Sequence, residues 1–456
     1  MSIKEIKIYE LKEESIVCLE DKIKYGEIYT PFFLIEKMFD MMDQEEFKKK
    51  DKRWLDTGAG SGNFSIYLYK KLNEGLKSII INDEERHEHI IKKMIFMVEI
   101  KKTNIEKLYK IFGKEANIYN VDYLELKLEK IDYIIGNPPY NANGVKKVPT
   151  NKKIKKKEDG ETIWKSFVKK SLSILNDEGE LLYIIPSIWM KPDKEGIYEN
   201  ILNYKIKRLH CMTNTETNKC FKGEAQTPTS MLLLKKEKSD GKMSIYDKDN
   251  EEYIDYTLSL NSAIPMCNVK IIKKLKMWVD KYGFLKVYKT NLPSKGSKFS
   301  DIKSKEYKYE NVKTTKLNGL KPELIKNYSN KEQSYYGKRK LILGHGMYGF
   351  PYLDDKGELG ISNRDKYIVL NSNLNELKKI SRFLSTKTAL YIYEATRYRM
   401  KYLERYAFEL IPDITKIKDL PKEITDETLS EYFEFDTKDR ENIKKLHKKD
   451  YIFNFE

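Results

Sequence analysis

The stretch Trp54-Leu55-Asp56-Thr57-Gly58-Ala59-Gly60-Ser61-Gly62-Asn63-Phe64 decides how this chain is to be read. A short apolar run enters it, glycines recur at every second position, and a helical pattern follows from about Ser65 to Leu72. That order predicts a strand, a tight turn and a helix. Glycine at 58, 60 and 62 permits positive φ and lets a ligand come close to the backbone. The spacing is not that of a pyrophosphate-binding turn, and no Gly-Lys-Ser/Thr follows to make a phosphate loop. It suits a ligand without phosphate.

Downstream, Ser78-Ile79-Ile80-Ile81-Asn82-Asp83-Glu84 reads as a second apolar strand ending in acid. A carboxylate at that end would hold the two hydroxyls of a ribose. A further apolar run, Ile131-Asp132-Tyr133-Ile134-Ile135-Gly136, delivers the tetrapeptide Asn137-Pro138-Pro139-Tyr140. This arrangement fits methyl transfer to a planar amino nitrogen, whose lone pair is delocalised and must be redirected by hydrogen-bond acceptors. The Asn137 side-chain oxygen and the Pro138 carbonyl supply two acceptors, and Tyr140 supplies a ring for stacking. The pair Pro138 and Pro139 fixes the backbone between them.

With these motifs in order, the chain resembles the S-adenosylmethionine-dependent N6-adenine DNA methyltransferases of the gamma motif order. The resemblance runs from about Lys24 to Lys236. Lys24-Tyr25-Gly26-Glu27-Ile28-Tyr29-Thr30-Pro31 is similar to the family's segment over the methionine end of the cofactor. The resemblance implies cofactor contacts at Tyr29, Thr30, Pro31, Asp56, Gly58, Gly60, Gly62, Asp83, Asp122 and Asn137, with Asp122 on the adenine amino group and Asp83, or Asn82 or Glu84 in that register, on the ribose. Gly179 to Ser187 is similar to the family's later core strand. Phe221, ahead of Thr227-Pro228-Thr229-Ser230, resembles the aromatic on the far side of a flipped base. Asp122 also reads as a turn cap, Phe221 as a buried hydrophobe, and Thr30-Pro31 as the start of a helix over Phe32 to Met42.

The periodicity predicts strands at 54–57, 78–82, 117–120, 132–136, 181–185, 206–211 and 230–235, with a helix from Thr162 to Leu175 among those between them. That alternation argues an α/β fold with a mostly parallel sheet. The resemblance refines it to a Rossmann-like class I methyltransferase sheet of seven strands, closed by an antiparallel pair, and adds an α+β target-recognition domain. We expect domains at 1–250 and 266–456. Between Asn141 and Gly160 lies a lysine-rich loop in which Lys153, Lys155, Lys156 and Lys157 are candidates for phosphate contact. In the second domain, Tyr391 to Tyr406 interleaves aromatic and basic residues, and Arg397 and Arg399 are the DNA-contact candidates.

Composition constrains the partners. The chain of 456 residues carries 86 Lys and Arg against 70 Asp and Glu, a formal charge of +16 that favours polyanions. Cys18, Cys211, Cys220 and Cys267 are too dispersed for a zinc motif or a disulfide framework. No membrane-length apolar run and no signal-peptide pattern is present. We expect a cytoplasmic monomer that needs no metal, takes S-adenosylmethionine as cofactor and double-stranded DNA as partner, and works with a separate restriction endonuclease or as an orphan or viral methylase. Asp354-Asp355 with Glu358 lacks the carboxylate-spacer-lysine pattern of a fused nuclease. The alternative activities are RNA adenine-N6 methylation, glutamine-N5 methylation of protein, and DNA binding without catalysis.

Overall fold

The computed structural model describes residues 3, 28–141, 162–223, 225–259, 261–318, 321–346, 351–399 and 402–446. Two compact units divide the chain, Met1–Tyr246 with Asp255–Ser259, and Asp247–Ile254 with Leu260–Glu456.

The first unit is built on β1 (Trp54–Asp56), β2 (Ile95–Val98), β3 (Asn117–Tyr119), β4 (Ile131–Gly136), β5 (Leu175–Pro186), β6 (Tyr204–Met212), β7 (Thr229–Lys238), β8 (Lys242–Asp247) and β9 (Glu252–Thr257). They lie in one sheet in the order β3-β2-β1-β4-β5-β7-β6-β8-β9. β3, β2, β1, β4 and β5 are mutually parallel, and β7 runs antiparallel between β5 and β6. The sheet is therefore α/β and mostly parallel, with nine strands where seven were expected. β8 and β9 account for the excess. Their sequences, Lys242–Asp247 and Glu252–Thr257, are too polar to read as strands from apolar runs alone.

Helices α1 (Phe32–Phe39), α2 (Asn63–Gly75), α3 (Asp83–His89), α4 (Lys102–Phe112), α5 (Trp164–Ile174), α6 (Ile197–Leu202) and α7 (Asn214–Cys220) belong to the same unit. α1 is shorter than the expected Phe32 to Met42, and Pro31 is its N-cap. At the start of β1 and β4, Phe39, Phe47, Trp54 and Tyr133 form a stacked ladder, with Trp54 and Tyr133 ring centroids 4.0 Å apart. Tyr133 donates its hydroxyl to Glu46 at the ladder's foot. The core thus fixes the root of the strands, leaving their far ends for chemistry.

The strand expected at 78–82 is a correction. Those residues form turns, and the next element is α3, capped by Asn82, whose side chain accepts from the backbone N–H groups of Glu84 and Glu85. Asn followed by three acids is a strong helix start, since the acids also complement the helix dipole. Arg86, buried, donates to the carbonyls of Ile80 and Ile81 and so occupies groups that a strand would have paired. Ile81 is left 85% exposed. The true second strand is β2, buried at every position.

The second unit contains two four-stranded sheets. One has the order β10-β17-β14-β15, from β10 (Tyr288–Lys289), β14 (Lys340–Gly344), β15 (Pro351–Asp354) and β17 (Lys366–Leu370). The other is β11-β13-β12-β16, from β11 (Phe299–Ser300), β12 (Tyr309–Asn318), β13 (Lys321–Ser329) and β16 (Gly360–Ile361). Pairing is antiparallel except between β12 and β16. Val312, Ile342, Leu359, Ile361 and Ile368 join the two sheets in one core. Helices α8 (Val269–Tyr282), α9 (Leu374–Leu384), α10 (Lys387–Glu394), α11 (Asp426–Tyr432) and α12 (Thr437–Lys444) complete the unit. Among the described residues no helix is long and apolar enough to cross a membrane.

Asp354, weighed above for a nuclease, has a structural task instead. It pairs with the fully buried Lys340 and accepts from the backbone N–H groups of Gly357, Glu358 and Leu359 at 2.9, 3.1 and 3.0 Å. Burial holds the Lys340 pKa below the usual lysine value, and the Asp354 carboxylate offsets this only in part. Lys340→Met should cost about 3–5 kcal/mol, because it strands a carboxylate in the interior. Adding Asp354→Leu should not restore stability, since three N–H groups would then lose their acceptor. Urea unfolding checks both, and a loss under about 1 kcal/mol in the single variant would reject the ion pair as a determinant of this unit.

Candidate active site

Four neighbouring parallel strands, β3, β2, β1 and β4, end at one edge of the first sheet. From β1 the chain moves to one side for β2 and β3, then crosses to the other side for β4. The loops after β1 and β4 consequently part, and such a switch point is where open α/β sheets bind ligands. The glycine-rich turn and Asn137-Pro138-Pro139-Tyr140 are those two loops.

The first loop is held by its own backbone. Ala59 N–H donates to the Val98 carbonyl at 2.9 Å, Gly62 N–H to the Ala59 carbonyl at 2.7 Å, and Gly60 N–H to Glu99 Oε2 at 2.7 Å. Gly60 and Gly62 have φ of +54° and +97°, the latter as N-cap of α2, where an added Cβ would sit 3.0 Å from Leu108. Gly58 needs no such explanation, for a Cβ there would meet no protein atom within 4 Å. Open space beside a backbone that is otherwise tightly held fits the approach of a ligand.

Asp56 ends β1 almost completely buried, accepting from Ser65 Oγ at 2.8 Å and Gly58 N–H at 3.4 Å. Burial, with Glu99 nearby, pushes its carboxyl up to about 7 against these hydrogen bonds. Next to it, Thr57 Oγ1 accepts from the Tyr183 hydroxyl at 2.8 Å. The chain of hydroxyls continues through Ser171 to Tyr123, each step 2.8 Å, and ties β1 to β5 and α5. Burial raises the pKa of both tyrosines, so they remain neutral partners.

Glu99 is the residue that sequence reasoning missed. It follows β2 directly and is nine-tenths buried. Its Oε1 accepts from Lys101 N–H at 2.7 Å, while Oε2 takes Gly60 N–H. An acid at the end of the strand beside β1 was expected, but at Asp83. Asp83 instead begins α3, its side chain 86% exposed and paired with Arg86. The strand that was to present it is not formed. The signal was in the sequence as Ile95-Phe96-Met97-Val98-Glu99, an apolar run ending in acid, outcompeted by the isoleucine triplet upstream.

The second loop begins where Gly136, φ +146°, passes so close to β1 that a Cβ would lie 3.2 Å from Thr57 Oγ1 and 3.6 Å from Asp56 Oδ1. Asn137 Nδ2 then donates to Thr30 Oγ1 at 3.2 Å, which keeps Oδ1 as the acceptor end of the amide. Thr30, buried, also accepts on its carbonyl from Asn63 Nδ2 at 3.0 Å, so one residue links both loops. Tyr29 packs over Gly60, 3.7 Å from the site of an added Cβ. The Tyr140 hydroxyl is buried with no hydrogen-bond partner among the described residues. Its carbonyl accepts from Ile163 N–H at 3.1 Å, and Asn141 bridges Thr162, closing the base of the lysine-rich loop. Lys153, Lys155, Lys156 and Lys157, like Lys24 to Glu27, lie outside the described residues.

Asp122 lies beyond the end of β3, at the same edge, and caps its own turn by accepting from Leu124 N–H at 2.8 Å. Phe221 is the C-cap of α7 and buried, in the β6–β7 connection at that edge. Arg397 and Arg399 are accompanied by acids, Arg397 by Glu394 at 3.1 Å and Arg399 by Glu404 at 3.4 Å. The aromatic rings interleaved with them, Tyr391, Tyr393 and Tyr398, are core residues, which corrects the picture of a stacking surface there.

Comparison with known proteins places this edge in context. Residues 31–221 match the family model described as the Eco57I restriction-modification methylase. The methylase subunit of the type I restriction enzyme MjaVII from Methanocaldococcus jannaschii is 31% identical over 153 residues, 32% of this chain and 24% of that protein. The type II methyltransferase M.BsuBI of Bacillus subtilis is 24% identical over 248 residues, 51% of this chain and 48% of its own length. Among solved structures, the type IIL restriction-modification enzyme MmeI in complex with DNA has a TM-score of 0.46 at 14% identity, covering 87% of this chain and 69% of its own. The chain spans between a quarter and a half of the curated relatives named here. The residues that match this restriction-modification methylase model, 31–221, contain every strand end lining the crevice.

Proposed function

We propose that this chain is an adenine-specific DNA methyltransferase of the restriction-modification type, transferring a methyl group from S-adenosylmethionine to N6 of an adenine turned out of duplex DNA, on a Rossmann-like class I methyltransferase sheet. The observation that carries this reading is the meeting of the glycine-rich loop and Asn137-Pro138-Pro139-Tyr140 at one switch point, joined through Thr30.

In this reading Glu99 binds the ribose hydroxyls, Asp122 the adenine amino group, and Asp56, Gly58, Gly60 and Gly62, with Tyr29, Thr30 and Pro31, surround the methionine end. The bound cofactor supplies an electrophilic methyl on a sulfonium. Asn137 Oδ1 and the Pro138 carbonyl accept from the target amine and hold its lone pair in line, so that charge developing on nitrogen is met by fixed dipoles. Pro139 keeps Pro138 aimed. Tyr140 stacks on the base through its face. Phe221 supports that pocket from within the protein, in keeping with its burial. The base must leave the helix because its amino group is otherwise engaged in pairing and stacking.

Incubation with labelled S-adenosylmethionine and duplex DNA, RNA or release factor tests the assignment, with transfer expected to adenine of duplex DNA alone. Asn137→Ala should abolish transfer and leave cofactor binding intact, as an aligned acceptor is worth about 3 kcal/mol of barrier. Tyr140→Phe should stay active while Tyr140→Ala does not, because the ring rather than its unpartnered hydroxyl is used. Turnover near normal in Asn137→Ala rejects the mechanism.

Two measurements separate the acids. Glu99→Gln should weaken cofactor binding by about tenfold to a hundredfold, the range for hydrogen bonds to a charged group, and Asp83→Asn should leave it unchanged. Calorimetric titration giving the reverse ranking would return the ribose to Asp83. For Asp56, the folded state binds a proton that the unfolded chain releases. The resulting stabilisation is complete below the ordinary value of 3.8 and lost as pH rises through about 7. Relative to Asp56→Asn, the wild type should therefore lose up to roughly 4 kcal/mol between pH 4 and pH 8. A constant difference in melting temperature across that range would show that Asp56 ionises normally.

A further inference from the structure

The β12–β13 hairpin is longer than the sheet that contains it. Its strands pair from Tyr309↔Ser329 out to Asn318↔Lys321. The flanking strands reach only its root: β11 pairs at Tyr328 and Ser329, and β16 at Asn311 and Val312. A register shift between Val312 and Thr314 marks the point where support ends. From Thr314↔Ile325 outward the hairpin is a two-stranded ribbon with both edges unpaired by any strand among the described residues. Four residue steps at about 3.4 Å give about 14 Å of ribbon.

An isolated two-stranded ribbon is marginal in water and invites a partner along its edges. The charge says which. Residues 303–326 carry seven lysines and three glutamates. Lys303, Lys305 and Lys308, just before the ribbon, are exposed. Lys313 and Lys326 stand at its root, 49% and 40% exposed, oriented by Asp301 and Glu310 at 3.1 and 2.8 Å. Between them, on the face turned from the core, Thr314 pairs with Ile325, an isoleucine 38% exposed. Leu324 alternates with Ile325 and packs inward against the core around Val312, which fixes the register of the outer face.

We propose that the β12–β13 ribbon enters the major groove of duplex DNA and is the sequence-reading element of this protein, with Lys303, Lys305 and Lys308 on the phosphates beside it. The inference rests on the DNA methyltransferase reading above and adds to it the element that selects the site. The major groove, about 12 Å wide and 8.5 Å deep, admits a two-stranded ribbon of this length. The narrow major groove of an RNA duplex does not. Thr314 offers a hydroxyl to base edges, and the exposed Ile325 offers methyl groups to the thymine methyl. The cations hold register without reading sequence.

The test uses the full chain. Thr314→Val with Ile325→Thr keeps both positions β-branched, so the ribbon persists while its polar and apolar groups change places. Lys303→Gln, Lys305→Gln and Lys308→Gln form a second variant. Calorimetric binding of S-adenosylmethionine and the circular dichroism spectrum report that each variant is folded. Sequencing of treated plasmid maps methylated adenines, and fluorescence anisotropy with duplex and single-stranded oligonucleotides gives affinity against salt. The ribbon variant should lose at least tenfold in discrimination between the recognition sequence and single-base neighbours, with its salt dependence unchanged. The lysine variant should bind all duplexes more weakly and lose up to about three units of salt slope, with the site unchanged. If the wild type methylates one defined sequence and both variants match it in site preference and salt slope, the ribbon assignment is overturned and the activity stands. If the wild type methylates no DNA, the activity is overturned and the ribbon assignment with it.

Discussion

Everything at the crevice depends on how closely β4 leaves the sheet past the end of β1. Gly136 makes that passage, where a Cβ would crowd Thr57 Oγ1 at 3.2 Å. An alanine there would meet the Thr57 hydroxyl that Tyr183 has already fixed, and it would be strained by the positive φ as well. The neighbour cannot give way easily, because the hydroxyl chain runs on through Ser171 to Tyr123. The consequence is geometric. Asn137 emerges next to the glycine-rich loop at a distance set by buried hydrogen bonds rather than by loop conformation, which is how rigid elements hold reacting groups in place.

How much of this was legible in the sequence depends on the range of the signal. The glycine turn, the strand before Asn137 and the helix from Asn63 were readable because each is local: apolar runs of strand length, glycines where φ must be positive, a helical repeat. The second strand was not. Two apolar runs, Ile79 to Ile81 and Ile95 to Val98, competed for one place, and local composition favoured the wrong one. The decision came from backbone hydrogen bonds, since the carbonyls of Ile80 and Ile81 are taken by Arg86 and the Asn82 cap commits the following residues to helix. A cap weighed before the hydrophobic run would have moved the acid to Glu99.

The second unit shows a different limit. Tyr391, Tyr393 and Tyr398 alternate with cations in a way that composition alone reads as a nucleic-acid surface, yet burial turns their rings inward. Tyr391 donates to Asp249, Tyr398 to the Ile264 carbonyl. Burying an aromatic body while satisfying its hydroxyl is ordinary core behaviour. The lysines around the β12–β13 ribbon read as a solvated face until the pairing reveals that the strands extend past their neighbours.

The acids at the crevice give the arrangement its electrostatic sense. Asp56 and Glu99 end adjoining strands, and the negative charge of Glu99 adds to the burial that raises the Asp56 carboxyl. Glu99 keeps its place because two backbone N–H groups point at it; Asp56 has Ser65 and Gly58 but less water. A carboxylate so placed disfavours charge on Asp56, and a cation arriving between the strand ends would relieve it. Under the proposed activity the arriving group carries a sulfonium and an ammonium, so its binding favours ionised Asp56.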